Sequence, residues 1–422
     1  MQTSAANRFA GLDHLRALAI IIVFVYHYSM FGHPAGLHEY FGSWGWTGVD
    51  LFFVLSGFLI GGQLFAKIAR DQPVSYGEFY FKRSLRILPA YFAVLALYIA
   101  IPAFKERSQL PPLWRMFTFT QNFGLDLTKE GAFSHAWSLC IEEQFYLFLP
   151  LLIIGLHAIK AHKTANVCPS DKPRPAASAV YILPALFLFG FAIRTYLWYD
   201  VIAHQESFGK AYYMYIYYPT WSRLDGLLAG VALAAFYYFK PQSWQKLTAK
   251  GNRIFFIALA LLAGAWFIAH DRHQYETRGA IFGYPAIAIA YGALVLAALS
   301  PTCFLYKYAS RITRFIAVLS YSIYLTHKQL IHLTHEFLQP RGIENDSYTS
   351  FWISTAVALL GGWLLHLLVE KPFLRLRDRL LPPDRRRPLP RRPSGFRRKN
   401  PVTTCSPDPS SQKHAPVAKN LS

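Results

Sequence analysis

The sequence predicts an all-α polytopic membrane protein of about ten transmembrane helices with both termini in the cytoplasm. Three observations carry this prediction. The 422-residue chain is 53% hydrophobic and 17% aromatic but only 16% charged, against about 25% charged in an average soluble domain. Its mean hydropathy is positive, +0.22. Its 43 Lys and Arg against 23 Asp and Glu give a formal charge of +20. A chain both apolar and basic implies membrane spans with basic flanking loops, and argues against a nucleic-acid binder built on a soluble fold.

A span needs roughly 20 mostly apolar residues. Ten segments qualify, at about 15–33, 47–67, 85–104, 137–157, 178–198, 216–239, 254–270, 280–299, 315–335 and 350–370. The run PPLWRMFTFTQNFG, 111–124, is apolar but short, and suits a re-entrant or interfacial segment. The loops orient the chain. Loops 68–86, 158–177, 240–253 and 300–314 hold 15 Lys and Arg, whereas the longer alternate set, 34–46, 105–136, 199–215, 271–279 and 336–349, holds 8. The positive-inside rule places the first set in the cytoplasm. The first segment has the basic start and apolar run of a signal peptide, but no small-x-small site follows promptly and nine spans come after it. A retained helix is expected.

The organisation is then a transmembrane domain over 10–375 and a tail over 381–422. The tail is rich in Pro, Ser and Arg, which predicts disorder and attraction to anionic lipid. Cys140, Cys168, Cys303 and Cys405 are scattered, so neither a disulfide framework nor a metal site is expected.

Polar residues inside the spans mark the candidate site. In LRALAIIIVFVYHYSMFG, Arg16 and His27 lie eleven apart, within about 20° of one helix face and roughly 16 Å along it. Asp50 opens the second span, and Glu142, Glu143 and Gln144 fall in the first turns of the fourth. Arg194, Arg223 and Asp225 sit in the outer parts of the fifth and sixth, and His327 sits mid-span in the ninth. Ionisable residues within a span are costly, and so many at one level predict an enclosed polar cavity. Near the cytoplasmic boundary, Arg83 and Arg86 are i and i+3, on one helix face. Paired guanidiniums suit bidentate phosphate recognition, although the positive-inside rule alone also accounts for basic residues there.

In this order, LDHLRALAIIIVFVYH, GVDLFFVLSGFLI, the Arg-x-x-Arg of RSLRILPAY, WSLCIEEQFYLF, RLDGLLAG, SYSIYLTH and VEKPF resemble the acyltransferase-3 family of integral membrane O-acyltransferases, from about residue 10 to 375. His14 departs from the glycine usual there. The resemblance implies an enzyme of the bacterial inner (plasma) membrane, with no permanently bound cofactor. It would transfer an acyl group, most often acetyl from cytoplasmic acetyl-CoA, to a hydroxyl of a sugar or glycolipid. His27 would act as general base or acyl relay, with Glu142 or Asp50 orienting its imidazole. Arg16, Arg83 and Arg86 would hold the donor's phosphates, and Arg223, Asp225, Arg194 and His327 would face the acceptor. Some relatives carry an extracellular hydrolase-like domain that is not found here, which implies reliance on a periplasmic or glycan-assembly partner protein. The rival readings are a proton-coupled transporter or flippase, for which the chain offers no internal repeat, and a structural subunit of a glycan synthase.

Overall fold

The computed structural model describes residues 10–32, 34, 36, 42–107, 109–163, 176–269 and 277–381. The tail beyond 381, expected to be disordered, lies outside the described residues, as does most of the basic loop at 158–177. Numbering the long helices in chain order, α1 is Ala10–Tyr28, α2 Gly48–Ile68, α3 Tyr76–Ala100, α4 Trp137–Lys163 and α5 Ala176–Tyr196. Then follow α6 Asp225–Phe239, α7 Gly251–Ala269, α8 Tyr284–Leu299, α9 Arg311–Leu338 and α10 Tyr348–Leu365. A short amphipathic helix, α11 Lys371–Leu380, completes the described chain.

Each expected span coincides with one of α1 to α10, but among the described residues eight helices are long and apolar enough to cross a membrane. The exceptions are informative. The expected sixth span, 216–239, is broken: Tyr213–Tyr217 forms a π-turn, Thr220–Ser222 a 3-10 turn, and only the 15 residues of α6 are α-helical. The ninth is long, at 28 residues, but carries His327, Lys328 and Gln329 on a buried face.

Local chemistry sets the helix starts. Ser75, Ser310 and Ser347 cap α3, α9 and α10, each accepting a hydrogen bond from the backbone N–H three residues on. Packing sets the interior. In lipid there is no hydrophobic force between helices, so small residues that allow close approach decide which helices pair. At the α2–α6 seam a Cβ on Gly57 would stand 2.1 Å from the Leu227 carbonyl oxygen, and one on Gly230 2.2 Å from that of Val54. Helices α1, α2 and α8 are mostly buried, whereas α5 and α7 face outward. The N-terminal end of α1 is tied to the start of α9 by His14, which donates through Nε2 to the Tyr308 carbonyl at 2.6 Å and accepts through Nδ1 from Thr313 at 2.9 Å.

The connection between α3 and α4 is the main irregular element. Its run 111–124 contains a five-residue helix, Leu113–Phe117, with Trp114 exposed and Met116 buried. The chain then turns inward at Phe119 (φ 54°). There Gln144 donates to the Phe119 carbonyl and to Asn122, and Asn122 donates to Thr220.

Candidate active site

One cavity of about 540 Å³ runs into the bundle from the end where α1 begins and α2 finishes. Arg16, Lys67, Lys82, Arg83, Arg86 and Arg377 line it, drawn from α1, α2, α3 and α11. Glu78 lies among them and pairs with Lys82 and Lys67, the latter at 3.7 Å. The guanidinium of Arg83 stacks over the Tyr146 ring at 4.9 Å. On the same wall Tyr146 donates to Ser56 at 3.0 Å, and Ser56 donates to Glu142 Oε1 at 2.7 Å. The three arginines expected to bind one ligand, Arg16, Arg83 and Arg86, therefore share one cavity. The deep end carries Phe52, Ser138 and Tyr324, with Ser138 and Tyr324 hydrogen-bonded at 2.6 Å.

The histidines lie beyond that deep end. His327 packs beside Tyr324, ring centroids 5.8 Å apart, and its Nε2 is 2.9 Å from His27 Nδ1. The tautomers follow from the partners. His327 Nδ1 is 2.9 Å from the Tyr324 carbonyl and 3.1 Å from that of Ile323. A carbonyl only accepts, so His327 Nδ1 carries the proton and its Nε2 the lone pair. His27 Nδ1 must then donate to it, which leaves the His27 Nε2 lone pair available. This is the arrangement a general base or acyl-accepting nucleophile needs.

Several expected residues stand elsewhere. The hydrogen bond that orients His27 comes from His327, not from Glu142 or Asp50. Glu142 is on the wall of the cation-lined cavity, and Asp50 accepts from Arg223 at 2.9 Å. Arg194 and Asp225 are engaged with each other: Arg194 makes a bidentate pair with Asp225 at 2.7 and 3.1 Å and donates to the Ser222 and Ile281 carbonyls. Arg223 sits among the rings of Tyr284, Tyr217 and Trp137, at 3.9, 4.9 and 5.3 Å. Glu370 accepts from Ser322 at 2.9 Å and from His366 at 2.8 Å, which makes it a clasp between α9 and the turn after α10.

Sequence reasoning passed over three neighbours of the pair. His135 lies 5.3 Å from His327 and 6.2 Å from His27, ring to ring. Lys328 is buried, 3.2 Å from Glu106 and 3.3 Å from Ser134. Glu106 also accepts from Tyr98 at 2.7 Å. Lys328 was legible as a cation next to His327 in THKQL; His135 stands two residues before the expected fourth span and Glu106 in the loop after the third, and nothing local ties either to the pair. Among the described residues no group of three His, Cys, Asp or Glu side chains is placed to hold a metal ion.

Fold and site together define an integral membrane helix bundle with a cation-lined cavity and, behind its deep end, a histidine pair of buried His327 and half-buried His27. The profile of the acyltransferase-3 family, an acyltransferase domain, matches residues 9–367, and the chain belongs to that family. It is similar to YrhL of Bacillus subtilis, provisionally named a peptidoglycan O-acetyltransferase, with 26% identity over 386 residues, 86% of this chain and 54% of the relative. It is also similar to the O-acetyltransferase OatA of Staphylococcus aureus (28% identity; 78% of this chain, 51% of the relative). The peptidoglycan O-acetyltransferase OatA of Listeria monocytogenes is 28% identical over 78% of this chain and 50% of its own. The chain thus spans about half the length of the curated relatives it matches. No solved structure matches it.

Proposed function

We propose that this domain transfers an acetyl group from acetyl-CoA to a hydroxyl of a cell-wall or surface glycan, at the bacterial plasma membrane. The observation that carries the reading is the alignment of a cation-lined cavity with the His27–His327 pair behind its deep end. Six Arg and Lys side chains around one cavity suit a polyphosphorylated ligand. The basic loops favour a cytoplasmic mouth for that cavity, which suits a cytoplasmic acyl-CoA. A phosphopantetheine arm reaching inward along α1 would cover the roughly 16 Å from Arg16 to His27.

In the direct route, His27 Nε2 takes the proton of the acceptor hydroxyl as its oxygen attacks the thioester carbonyl. The C–S bond breaks and the thiolate leaves as CoA, recovering the proton from the imidazolium. In the relay route, His27 Nε2 attacks the thioester carbonyl first, the C–S bond breaks and CoA leaves as thiolate; the acceptor hydroxyl then attacks the acetyl-imidazolium, the N–C bond breaks to restore the Nε2 lone pair, and the hydroxyl proton passes to the thiolate. Label retained on the protein when acceptor is withheld, and released rapidly by acid or hydroxylamine as an acyl-imidazole is, distinguishes the second route. His327 fixes the tautomer that both routes require.

The test is acetyl transfer from labelled acetyl-CoA in membranes containing wild type or His27→Ala at matched protein levels. Loss of an acid–base or nucleophilic group predicts a fall of about 10²–10⁴-fold, with the variant still inserted. Equal transfer by the two proteins would refute the role of His27. Absence of transfer by both, with glycan precursor still moved across the membrane, would favour the transporter reading.

A further inference from the structure

We infer that His135 holds a second hydroxyl, or an amide N–H, of the acyl acceptor beside the one that reacts, so that the site selects a polyhydroxylated ring over a simple alcohol. This rests on the acyl-transfer reading above. The backbone places the residue. Phe133, two positions earlier, sits in the left-handed region at φ 56°, which a non-glycine residue adopts only when its surroundings hold it there. The Phe133 N–H donates to Glu106 Oε1 at 3.2 Å, and its ring packs on Tyr98 and Tyr91, with centroids 4.7 and 5.5 Å away. The result is that His135, at the entrance to α4, is turned onto the histidine pair.

Its hydrogen bonds define what it offers. His135 Nε2 faces the Leu325 carbonyl at 3.4 Å, so that nitrogen carries the proton and Nδ1 carries a lone pair. Nδ1 is buried and has no hydrogen-bond partner among the described residues, in a side chain that is 2% exposed. A buried acceptor left without a donor is costly. The nearby donors are directed elsewhere. Tyr324 donates to the backbone carbonyl of His135 itself, at 2.7 Å, and Lys328 is turned to Glu106 and Ser134. His27 Nδ1 is turned to His327. Other buried atoms also lack a partner, such as His335 Nε2 further along α9, but His135 is distinguished by lying within one ring's width of the pair.

The missing donor comes with substrate, and chemistry says which one. The reacting end of an acyl-CoA is a thioester, with acceptor atoms and no proton. The acceptor brings O–H groups. The attacking hydroxyl gives its single proton to His27, so Nδ1 of His135 takes a different one on the same molecule. A sugar, with hydroxyl or acetamido groups on adjacent carbons, meets that requirement.

The experiment uses the full chain in lipid nanodiscs, labelled acetyl-CoA, and chitotetraose as the probe acceptor. Steady-state constants for donor and acceptor are measured with wild type, His135→Ala, His135→Gln and His135→Asn. The Asn amide reaches about where Nδ1 stands, and the Gln amide about where Nε2 stands. The expected result is a loss of roughly tenfold in kcat/KM for chitotetraose with Ala and Gln. Asn should keep most of the wild-type value, and KM for acetyl-CoA should stay within about twofold throughout. Unchanged chitotetraose constants in every variant would overturn the inference, as would donor and acceptor constants falling in parallel. Loss of the folded, monodisperse protein in all three variants would assign His135 to the fold and also overturn it. A wild type that turns over acetyl-CoA but ignores chitotetraose counts against the sugar assignment. A wild type that turns over no acetyl-CoA removes the parent reading, and this inference falls with it.

Discussion

At the scale of single residues, the histidine pair shows how one hydrogen bond sets a reactive state. Because His327 Nδ1 donates to the Tyr324 carbonyl, its Nε2 lone pair accepts from His27 Nδ1, and His27 Nε2 keeps its lone pair. In the proposed mechanism His327 is a positioning residue. His327→Gln, which keeps an acceptor near the Nε2 position, is expected to retain more acetyl transfer than His327→Ala, with the Ala loss at roughly 10–10²-fold and carried in kcat more than in KM. Equal losses would show that the hydrogen bond does not matter. Arg194 behaves differently. Its donors engage Asp225 and two carbonyls, and we propose that it serves the fold. Removing one partner of such a buried pair costs about 3–5 kcal/mol, so Arg194→Ala should lower thermal stability sharply. A variant that keeps its stability but loses acceptor affinity would restore Arg194 to the substrate side. The sequence displayed both kinds of residue in the same way, as a charge inside an apolar run. Only the partner distinguishes the chemical residue from the structural one.

At the scale of elements, the glycines of LSGFLIG and DGLLAG explain why α2 and α6 lie so close. A side chain at Gly230 would meet backbone atoms of α2, which cannot swing aside as a flexible side chain would. Gly230→Leu is therefore expected to exceed the ~1–3 kcal/mol of ordinary overpacking, read as loss of monodisperse protein in detergent. Near-normal stability would mean that the seam is loose. This contact also positions polar groups, because α2 brings Asp50 to Arg223 at one end and Lys67 to the cavity at the other. Of the two elements that broke the expected pattern, α9 carries His327 of the site. Helix α9 holds polar residues on the face it buries, and the segment before α6 unwinds into π and 3-10 turns, both features that a hydropathy window averages away.

At the scale of the whole molecule, separate helices build one site. The cavity's cations come from four separate helices, and the histidine pair joins α1 to α9. If the cavity holds a CoA, the double variant Arg83→Ala/Arg86→Ala should raise KM for acetyl-CoA by at least roughly tenfold, because charge-assisted hydrogen bonds are worth about 1.5–3 kcal/mol. The rise should shrink as salt is added. An unchanged KM would free these arginines from donor binding. The positive-inside reading adds a prediction about sidedness. Arg86→Cys should react with a membrane-impermeant maleimide in inverted vesicles but not in right-side-out ones, and acetyl-CoA should slow the reaction. Labelling only from the outer face would reverse the topology.

The sequence by itself determined the class of fold, the positions of the apolar segments and the ionisable residues within them. Hydrophobic length and the expense of charge in lipid are local properties, written residue by residue. Arg16 and His27 on one stripe, and Arg83 with Arg86 on another, were legible because helix periodicity is local too. The tertiary structure decided what no local rule contains. It made His327, rather than Glu142 or Asp50, the partner of His27, and set Arg194 against Asp225. It also carried His135 out of an unremarkable loop to the side of the pair. Those outcomes depend on which helices pack together, and so on close contacts between residues up to 300 positions apart in the chain.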